Sequence, residues 1–536
     1  MLNKKKNKKY FWREVIAFAV IIIFVGFFLQ LTLSRHAALK SFQNDLGTYS
    51  QLTWNTLHGD FFQASGALPI VTMFPDGTIN EQFNYLSAHF SPLLLIFVPL
   101  YAIWADPRIF LIIQVLAVAF GALPIYWLAR EKIKIFWAPL IFLVSFFFYP
   151  IIQNSLLYDF HEVTLAIPLV TFALWFLYKR KYSWLIVFLF LLLLVQEHTS
   201  LMVFMFGIYL FFFHQKKKLG LIISIISLIY FFSVVMFIMP AFSTTGEPII
   251  LKNATNFDNR YSWLGTSFSE IATTFLTKPL YVISNIFKIS KIKFFILLLL
   301  PLLALPVFSG IFLLALPVLA INFLSQLRLT YSANFYHSAI IVGIFYFAAI
   351  YSFEKIFKDS KYQKILLVLI LIITIFCGYF YSLSPFAKEY GYKDFTPSAN
   401  AKLLGEVKEL IPAEAALSIQ HNLAPHFSTR KNLYQFPTMV SQVDYVIVDV
   451  FDPYYNNPKS FFQFNSALLG EQDYSYNNIS RWLLSVEIML GREDFGVIYY
   501  QDGWLVFKKG ASHELNDEAK ADFYKQVEKY DLLEHE

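Results

Sequence analysis

The sequence predicts a polytopic α-helical membrane protein that carries a small α/β domain outside the membrane at its C-terminal end. Of the 536 residues, 57% are hydrophobic and only 15% are charged. Most apolar residues fall in runs close to the ~20 residues that a helix needs to cross a bilayer. After residue 383 these runs stop, and short segments typical of strands appear instead.

The apolar runs predict about 11 transmembrane helices, several of them short. They cover residues 13–33, 108–128, 135–153, 163–178, 182–196, 199–213, 219–240, 294–309, 310–325, 337–353 and 365–383. The first run follows a lysine-rich start at residues 4–9, and no small-residue cleavage site comes after it. We therefore expect an uncleaved first span with a cytoplasmic N-terminus.

Positive charges set the expected orientation of these spans. The basic loops at residues 130–134, 179–181, 216–218 and 355–364 all fall on the side of the N-terminus, as the positive-inside rule requires. Counting 93–104 or 270–287 as a span would invert the orientation of loops that follow. We therefore interpret 93–104 as an interfacial or re-entrant helix and 270–287 as a helix at the outer surface. Lys288, Lys291 and Lys293 then face outward, against the rule.

Charge and cysteine content exclude two other classes of function. The net charge of +6 arises in loops that set topology, so it does not indicate a nucleic-acid partner. The single cysteine, Cys377, lies in an apolar run and excludes a disulfide framework or a thiolate metal site. The chain is expected in the plasma membrane.

Two domains are predicted. Residues 1–383 form the membrane domain, with 34–107 as a large first outer loop, and residues 384–536 form an extracytoplasmic α/β domain. In the latter, 445–450 is expected as a buried strand and 497–500 with 504–507 as a hairpin around Asp502-Gly503. Helical periodicity covers 398–411 and 514–533.

Ionisable residues collect at the outer ends of the predicted spans, where their burial is costly and indicates function. These residues are Asp45, His58, His89, Asp159, His161, Glu162, Glu197, His198, Arg260, Arg328 and His337. If they share one face, they line a single outward-opening cavity.

Structural roles compete with functional ones for three of these residues. Asp45 precedes Leu46 and could cap a helix that begins there. Glu197 and His198 could form a buried pair that only fixes helix packing. Arg328, between two leucines, could extend its charge to the membrane surface. The spacing of histidines and acids typical of zinc enzymes is absent.

Several motifs, taken in order, resemble the bacterial and archaeal membrane-protein family of unknown function numbered twenty seventy-nine. The resemblance covers residues 40–450, and the family's Phe-Asp-Leu-Gly has Asn44 in place of Phe. Tyr336-His337 is a looser match to the family's His-Tyr. The motifs are Phe42 to Gly47 with Gln51, Trp54-Asn55 and His58-Gly59, His89-Phe90-Ser91-Pro92, Gln114, Ala122-Leu123-Pro124, Asp159-Phe160-His161, Glu197, and Pro425-His426-Phe427-Ser428 with Arg430.

This family in turn resembles the GT-C glycosyltransferases, which have a cytoplasmic N-terminus, a large first outer loop with an acidic residue, and often a C-terminal soluble domain. The resemblance implies a GT-C-like fold and transfer of a sugar from a polyprenyl-phosphate-linked donor to an acceptor at the outer face. Membrane lipid and the lipid-linked sugar are then the partners.

The resemblance also implies residue roles. Asp45 matches the acidic position of the first loop and is the predicted catalytic base. Arg260, Arg328 and His337 are candidates for the donor phosphate. His89, His161 and Glu197 are expected to shape the substrate cavity or to hold a divalent metal cation, and Asp159 is expected to bind substrate. His426 and Arg430 lie near the start of the outer domain, which is expected to bind acceptor or cover the site.

Two rival functions stay open at this point. A transporter or flippase for a lipid-linked or polar solute would also use an outward cavity with ionisable residues. The absence of an inverted repeat and the large asymmetric outer loops count against it. A non-catalytic scaffold whose outer domain binds a partner is the other alternative.

Overall fold

The computed structural model describes residues 2–65, 83–243, 260–265, 267–450 and 474–529. The chain divides into two compact units. The helical unit comprises Met1–Gln30, Leu86–Leu94 and Leu111–Tyr390. The mixed unit comprises Leu31–Tyr85, Leu95–Phe110 and Gly391–Glu536. Much of the segment predicted as the first outer loop, residues 34–107, therefore belongs with the C-terminal residues, although residues 66–82 lie outside the described part.

The helices and strands follow the chain in this order. The helices are α1 Leu2–Ala37, α2 Thr48–Leu57, α3 Phe97–Ile103, α4 Arg108–Lys132, α5 Ala138–Phe148, α6 Pro150–Tyr158, α7 Ala166–Tyr178, α8 Tyr182–Leu193, α9 Thr199–Phe213, α10 Lys217–Ser233, α11 Met239–Ala241, α12 Phe268–Thr277, α13 Pro279–Ile286, α14 Ile289–Leu299, α15 Leu316–Leu324, α16 Ala339–Ile356, α17 Ser360–Tyr381, α18 Leu404–Glu409, α19 Tyr474–Leu490 and α20 Asn516–Lys529. The strands are β1 Gln63–Ala64, β2 Phe83–Asn84, β3 Leu417–Ile419, β4 Leu433–Gln435, β5 Tyr445–Asp449, β6 Phe495–Gln501 and β7 Trp504–Lys509.

Within the described residues, five helices are long and apolar enough to cross a membrane. They are Tyr10–Ala37, Arg108–Lys132, Lys217–Ala241, Tyr336–Ile356 and Ser360–Tyr381. A sixth span results if α5 and α6, bent by 44° at their junction, count as one. Five of the predicted spans coincide with the long helices and 135–153 with the bent pair. The remaining five fall on helices of at most 15 residues.

Prolines explain two of the helix interruptions. Pro150 occupies the first turn of α6, where its missing N–H leaves no hydrogen bond unmade but stops α5 from continuing. Pro279 does the same at the start of α13, so the predicted surface helix 270–287 consists of two short helices. Leu276 and Leu280, on either side of this junction, are about four-fifths exposed, at 82% and 80%. Such exposed leucines fit a helix pair at a membrane surface.

The predicted strand 445–450 is confirmed as β5, and its side chains are buried on both faces of a five-stranded sheet. The strand order is β4-β3-β5-β7-β6, with β3 parallel to β4 and β5 and the other pairs antiparallel. Val446 and Val448 pack into one hydrophobic cluster, and Tyr445 and Ile447 pack into another. A strand that is covered on both faces typically has a continuous apolar sequence, and β5 has one.

The predicted hairpin and helices of the C-terminal region are also confirmed. Asp502 and Gly503 form its two-residue turn with φ angles of 46° and 94°, both in the left-handed region that tight hairpins require. The segment 398–411 contains a 3₁₀ turn at Asn400–Leu403 followed by α18. The segment 514–533 contains α20, and its last four residues lie outside the described part. The short strands β3 and β4 were not predicted.

Inside the mixed unit, the first outer loop packs on the sheet through polar contacts. The Gln51 amide nitrogen donates to the Ser65 hydroxyl at 2.6 Å and to the Lys431 carbonyl at 2.8 Å. Ser65 in turn accepts the backbone N–H of Leu433, the first residue of β4, at 2.8 Å. Lys40 forms an ion pair with Asp394 at 3.6 Å. These contacts attach residues 40–65 to the edge strand β4.

Candidate active site

The break between α6 and α7 exposes backbone groups that a single buried amide satisfies. After Tyr158 the chain is extended until a 3₁₀ turn begins at Glu162. Gln114, fully buried within α4, donates to the Asp159 carbonyl at 3.1 Å and accepts the His161 N–H at 3.0 Å. The Thr164 hydroxyl donates to the same amide oxygen at 3.0 Å. An unsatisfied backbone group here would be costly, so Gln114 holds the break in this shape.

The break between α8 and α9 carries Glu197, whose carboxylate binds the segment that starts at His89. Its Oε1 lies 3.3 Å from His89 Nδ1, and its Oε2 accepts the Phe90 N–H at 3.0 Å. The expected pairing of Glu197 with its neighbour His198 is therefore replaced by a pairing with His89. A carboxylate with two donors is well satisfied despite its burial.

Glu162 connects the two breaks. Its buried carboxylate accepts the Ser91 hydroxyl at 3.1 Å and the Gln196 amide N–H at 3.0 Å. Residues 89–91 are thus bonded to both Glu197 and Glu162. We call the group formed by His89, Ser91, Gln114, residues 159–162 and residues 196–198 the polar cluster.

The charges of the polar cluster stabilise one another. Burial by itself lowers the pKa of His89, but the Glu197 carboxylate and, more weakly, Glu162 bring it above its ordinary value. Burial would likewise raise the pKa of Glu197, yet His89 lowers it overall. For His198 burial dominates and lowers the pKa, although Glu197 opposes this. Of His89 and His198, His89 therefore more readily carries a positive charge.

Arg260 and His337 lie within electrostatic range of the polar cluster. The positive charge of the Arg260 guanidinium disfavours the protonated forms of both His89 and His198. His337 interacts electrostatically with Arg260 and with His161. The Tyr336 ring stacks on the His161 ring with centroids 3.4 Å apart. Two aromatic rings, a guanidinium and the His89 imidazole, whose pKa is raised, thus belong to one polar region of the helical unit.

Arg260 is positioned by contacts with the C-terminal turn of α15. The Tyr261 hydroxyl and the Trp263 indole N–H donate to carbonyls of that turn at 3.1 and 2.8 Å. The Lys291 ammonium donates to a third, and the Gln326 N–H donates to the Arg260 carbonyl at 2.9 Å. Helix ends leave such carbonyls without partners, so these donors attach residues 260–263 firmly to α15.

Asp45 lies in the mixed unit, inside a π-helical turn at Gln43–Gly47 that leads into α2. The cap positions of this turn and of α2 are Phe42 and Gly47, and neither makes a side-chain cap bond. The interpretation of Asp45 as the helix cap is therefore wrong. Asp45 is half-buried and interacts electrostatically with His421, whose pKa is lowered by burial to about 4 despite the attraction of Asp45.

The structure brings together five of the eight predicted site residues, namely His89, His161, Glu197, Arg260 and His337, and Asp159 contributes its backbone carbonyl to the same region. Arg328 is exposed beside Tyr331. His426 stacks on His36 in the mixed unit at 4.0 Å, and Arg430 donates to the Phe427 and Ala415 carbonyls. Arg430 therefore has a structural role there.

Gln114, Ser91, Gln196 and Tyr336 were given no role by the sequence reasoning. All four lie in the quoted motifs or beside them, and Gln114 is also a polar residue in the middle of an apolar run, which was a usable signal. The sequence also predicted a metal site as one alternative. Within the described ranges, no three His, Cys, Asp or Glu side chains are placed to hold an ion together.

Comparison with known proteins supports the sequence resemblance. Residues 35–482 match the family model described as predicted membrane protein (DUF2079), and this range includes every candidate site residue. No curated protein matches the chain. Since the matched range covers most of its length, the chain belongs to the DUF2079 family of predicted membrane proteins.

Proposed function

We propose that the protein is a glycosyltransferase of the plasma membrane that transfers a sugar from a polyprenyl-phosphate-linked donor to an acceptor at the outer face. The observation that carries this proposal is the convergence of His89, His161, Glu197, Arg260 and His337 in the helical unit. Ionisable groups among apolar helices are costly and are retained where they serve function.

The composition of the polar region fits a phosphate-linked sugar. A leaving phosphate needs cationic stabilisation, which Arg260 supplies together with His89, whose pKa Glu197 raises against the effect of burial. Glu197 favours the charged form of His89 and accepts two hydrogen bonds at the same time.

The catalytic base must be a carboxylate that is able to accept a proton from the acceptor hydroxyl. Glu197 is poorly suited, because burial would raise its pKa but His89 lowers it overall, and the Phe90 N–H already donates to its second oxygen. Asp45, in the mixed unit, is half-buried and is the carboxylate that we propose as base.

The membrane arrangement is part of the proposal. About 11 spans, a cytoplasmic N-terminus and an outer mixed unit agree with the positive-inside rule applied to the basic loops. Exposed Ser360 and Ser512, each changed to Cys in a Cys377→Ser background, test this layout by labelling of intact cells. Labelling of Ser512→Cys but not of Ser360→Cys is expected, and the reverse pattern would overturn the topology.

The activity is tested with purified protein in nanodiscs and radiolabelled polyprenyl-phosphate sugars. Asp45→Asn should lower transfer by about 10²–10⁴-fold and leave donor binding intact, because only proton removal is lost. Arg260→Ala should weaken donor binding, whereas Arg492→Ala, which removes an exposed arginine paired with Asp494, should not. Wild-type protein that binds no polyprenyl-phosphate sugar would refute the function, and full turnover by Asp45→Asn would refute the base.

A further inference from the structure

The helices α13 and α14 of the helical unit each bury one side against the protein. On α13 the buried residues are Val282 and Asn285, which lie three positions apart and therefore share a side of the helix. The Tyr281 ring contacts the Trp263 ring, with centroids 5.5 Å apart, so α13 packs on the segment that begins at Arg260. The buried side fixes which residues of these helices point away from the protein.

The other side of this helical stretch is exposed and apolar from the end of α12 to α14. Leu280, Ile283 and Phe287 follow one another at spacings of three and four residues, which places them in one stripe. The complete set is Leu276, Leu280, Ile283, Phe287, Ile289 and Ile296. We call these six residues the apolar face. A contiguous exposed apolar surface of this kind marks a contact with lipid or with another protein.

Three exposed lysines accompany the apolar face. Lys278 lies at the junction of α12 and α13, Lys288 lies at the junction of α13 and α14, and Lys293 lies in α14. From α12 to the end of α14 the sequence has four lysines and a single acidic residue, Glu270. None of the three exposed lysines forms an ion pair with a residue that the structure describes. The described part of the chain therefore leaves the positive charge of this surface without an acidic partner.

The fourth lysine and a neighbouring helix show what sets this surface apart. Lys291 is buried, and its ammonium donates to the Phe323 carbonyl at the end of α15, so its role is structural. Residues 219–243 also expose apolar side chains, such as Phe237, but they contain no charged residue at all. Such a surface suits lipid tails, whereas the alternation of lysines with large apolar side chains suits the boundary between tails and headgroups.

We propose that the apolar face lies on the bilayer surface and that Lys278, Lys288 and Lys293 bind the headgroups of anionic phospholipids. Leucine, isoleucine and phenylalanine side chains enter the upper part of the tail region. Lysine stems lie along them and place their ammonium groups at the level of the phosphates. A zwitterionic headgroup neutralises its own phosphate, so each lysine should favour an anionic lipid by about fivefold.

This role gives a reason for two lysines that the expected topology leaves unexplained. Lys288 and Lys293 are predicted on the outer side, where the positive-inside rule disfavours basic residues. Attraction to anionic headgroups acts at either surface of a bilayer that contains such lipids. The inference does not rest on the proposed sugar transfer, because it concerns only the lipid that surrounds the protein.

The proposal is tested with the full chain in a Cys377→Ser background, with Leu280→Cys labelled by the fluorophore bimane. The protein is placed in vesicles of equal parts phosphatidylcholine and phosphatidylglycerol, and only one of the two lipids carries bromine on its tails. Bromine quenches bimane at short range, so the ratio of the two quenching values gives the lipid preference at residue 280. Phosphatidylglycerol should be preferred by about fivefold or more.

Three comparisons assign this preference to the lysines. Combined Lys278→Gln, Lys288→Gln and Lys293→Gln should bring the ratio to about one. The same change at Lys216, Lys217 and Lys218 removes equal charge from the exposed loop before α10 and should leave the preference intact. High salt should reduce the preference of the unchanged lysines, because it screens exposed charges.

A bimane probe at Phe237→Cys, within the uncharged residues 219–243, should show no preference for either lipid. Gel filtration establishes that each variant is folded, and the salt series tests the lysines even if the triple variant fails to fold. Little quenching at residue 280 by either lipid, equal quenching by both, or a preference that survives the loss of the three lysines would each overturn the proposal. The vesicles contain no polyprenyl phosphate, so these outcomes are independent of the proposed enzyme activity.

Discussion

His89 Nδ1 lies 3.3 Å from Glu197 Oε1, and the second oxygen of Glu197 accepts the Phe90 N–H at 3.0 Å. The two residues are 108 positions apart in the chain. The pair attaches the end of the first outer loop to the break between α8 and α9. Glu197 is 7% exposed and His89 is 32% exposed at the side chain, so the pair is shielded on the carboxylate side and open on the imidazole side.

The first prediction concerns the pH dependence of stability. The pKa of His89 is raised, so its contribution is present below its ordinary value of 6.5 and is lost as pH rises through the raised pKa. The pKa of Glu197 is lowered, so its contribution is present above its ordinary value of 4.5 and is lost as pH falls through the lowered pKa.

The pair should therefore stabilise the protein most between those two values. Thermal unfolding of wild type and His89→Gln in detergent, measured at a series of pH values, should differ most in that window and converge at alkaline pH. A difference that does not change with pH would contradict the charged pair. Exposed His513, changed to Gln, provides the control.

The second prediction concerns Gln114. Gln114→Leu keeps the volume but leaves the Asp159 carbonyl and the His161 N–H without their partner, at a cost of about 2–4 kcal/mol in the free energy of unfolding. Chemical denaturation in detergent measures the loss, and Gln501→Leu, at an exposed position, should change it little. Equal stability of the two variants would show that the break does not depend on this amide.

The third prediction concerns the attachment of Arg260. Trp263→Phe keeps an aromatic ring and removes the N–H that donates to the last turn of α15, which should cost about 1 kcal/mol in stability. Residues 260–263 then move more freely. The free energy of binding the polyprenyl-phosphate donor should therefore fall by more than the free energy of unfolding does. Trp184→Phe, on the exposed side of α8, is the matched control. Unchanged donor affinity in Trp263→Phe would show that the position of Arg260 does not affect donor binding.

The fourth prediction concerns the hairpin turn between β6 and β7. Gly503 has a φ of 94°, which a β-branched side chain rarely adopts, so Gly503→Val should destabilise the mixed unit by about 1–3 kcal/mol. Asp502→Gly, at a φ of 46°, should be neutral or slightly stabilising because glycine adopts this region without strain. Hydrogen exchange of the backbone amides of β6 and β7 measures the unfolding of this hairpin. The same effect from both substitutions would contradict the turn geometry.

Sequence patterning located the apolar helices, the strand β5 and the hairpin at Asp502-Gly503. These features depend on residues only a few positions apart, since hydrophobic periodicity and turn chemistry are local. The short strands β3 and β4 were missed because three residues carry too little periodicity to be recognised. The polar breaks at residues 159–162 and 196–198 were visible for the same local reason, as interruptions of apolar runs.

What the sequence alone determined is therefore the class of protein, its helical segments and the positions where charge enters the apolar chain. The tertiary structure decided the partners: Glu197 with His89 rather than His198, Gln114 with the break after α6, and Asp45 with His421 rather than as a helix cap. Burial is encoded locally because each side chain has its own hydrophobicity. Pairing depends on the path of the whole chain, which brings together groups that lie far apart in the sequence.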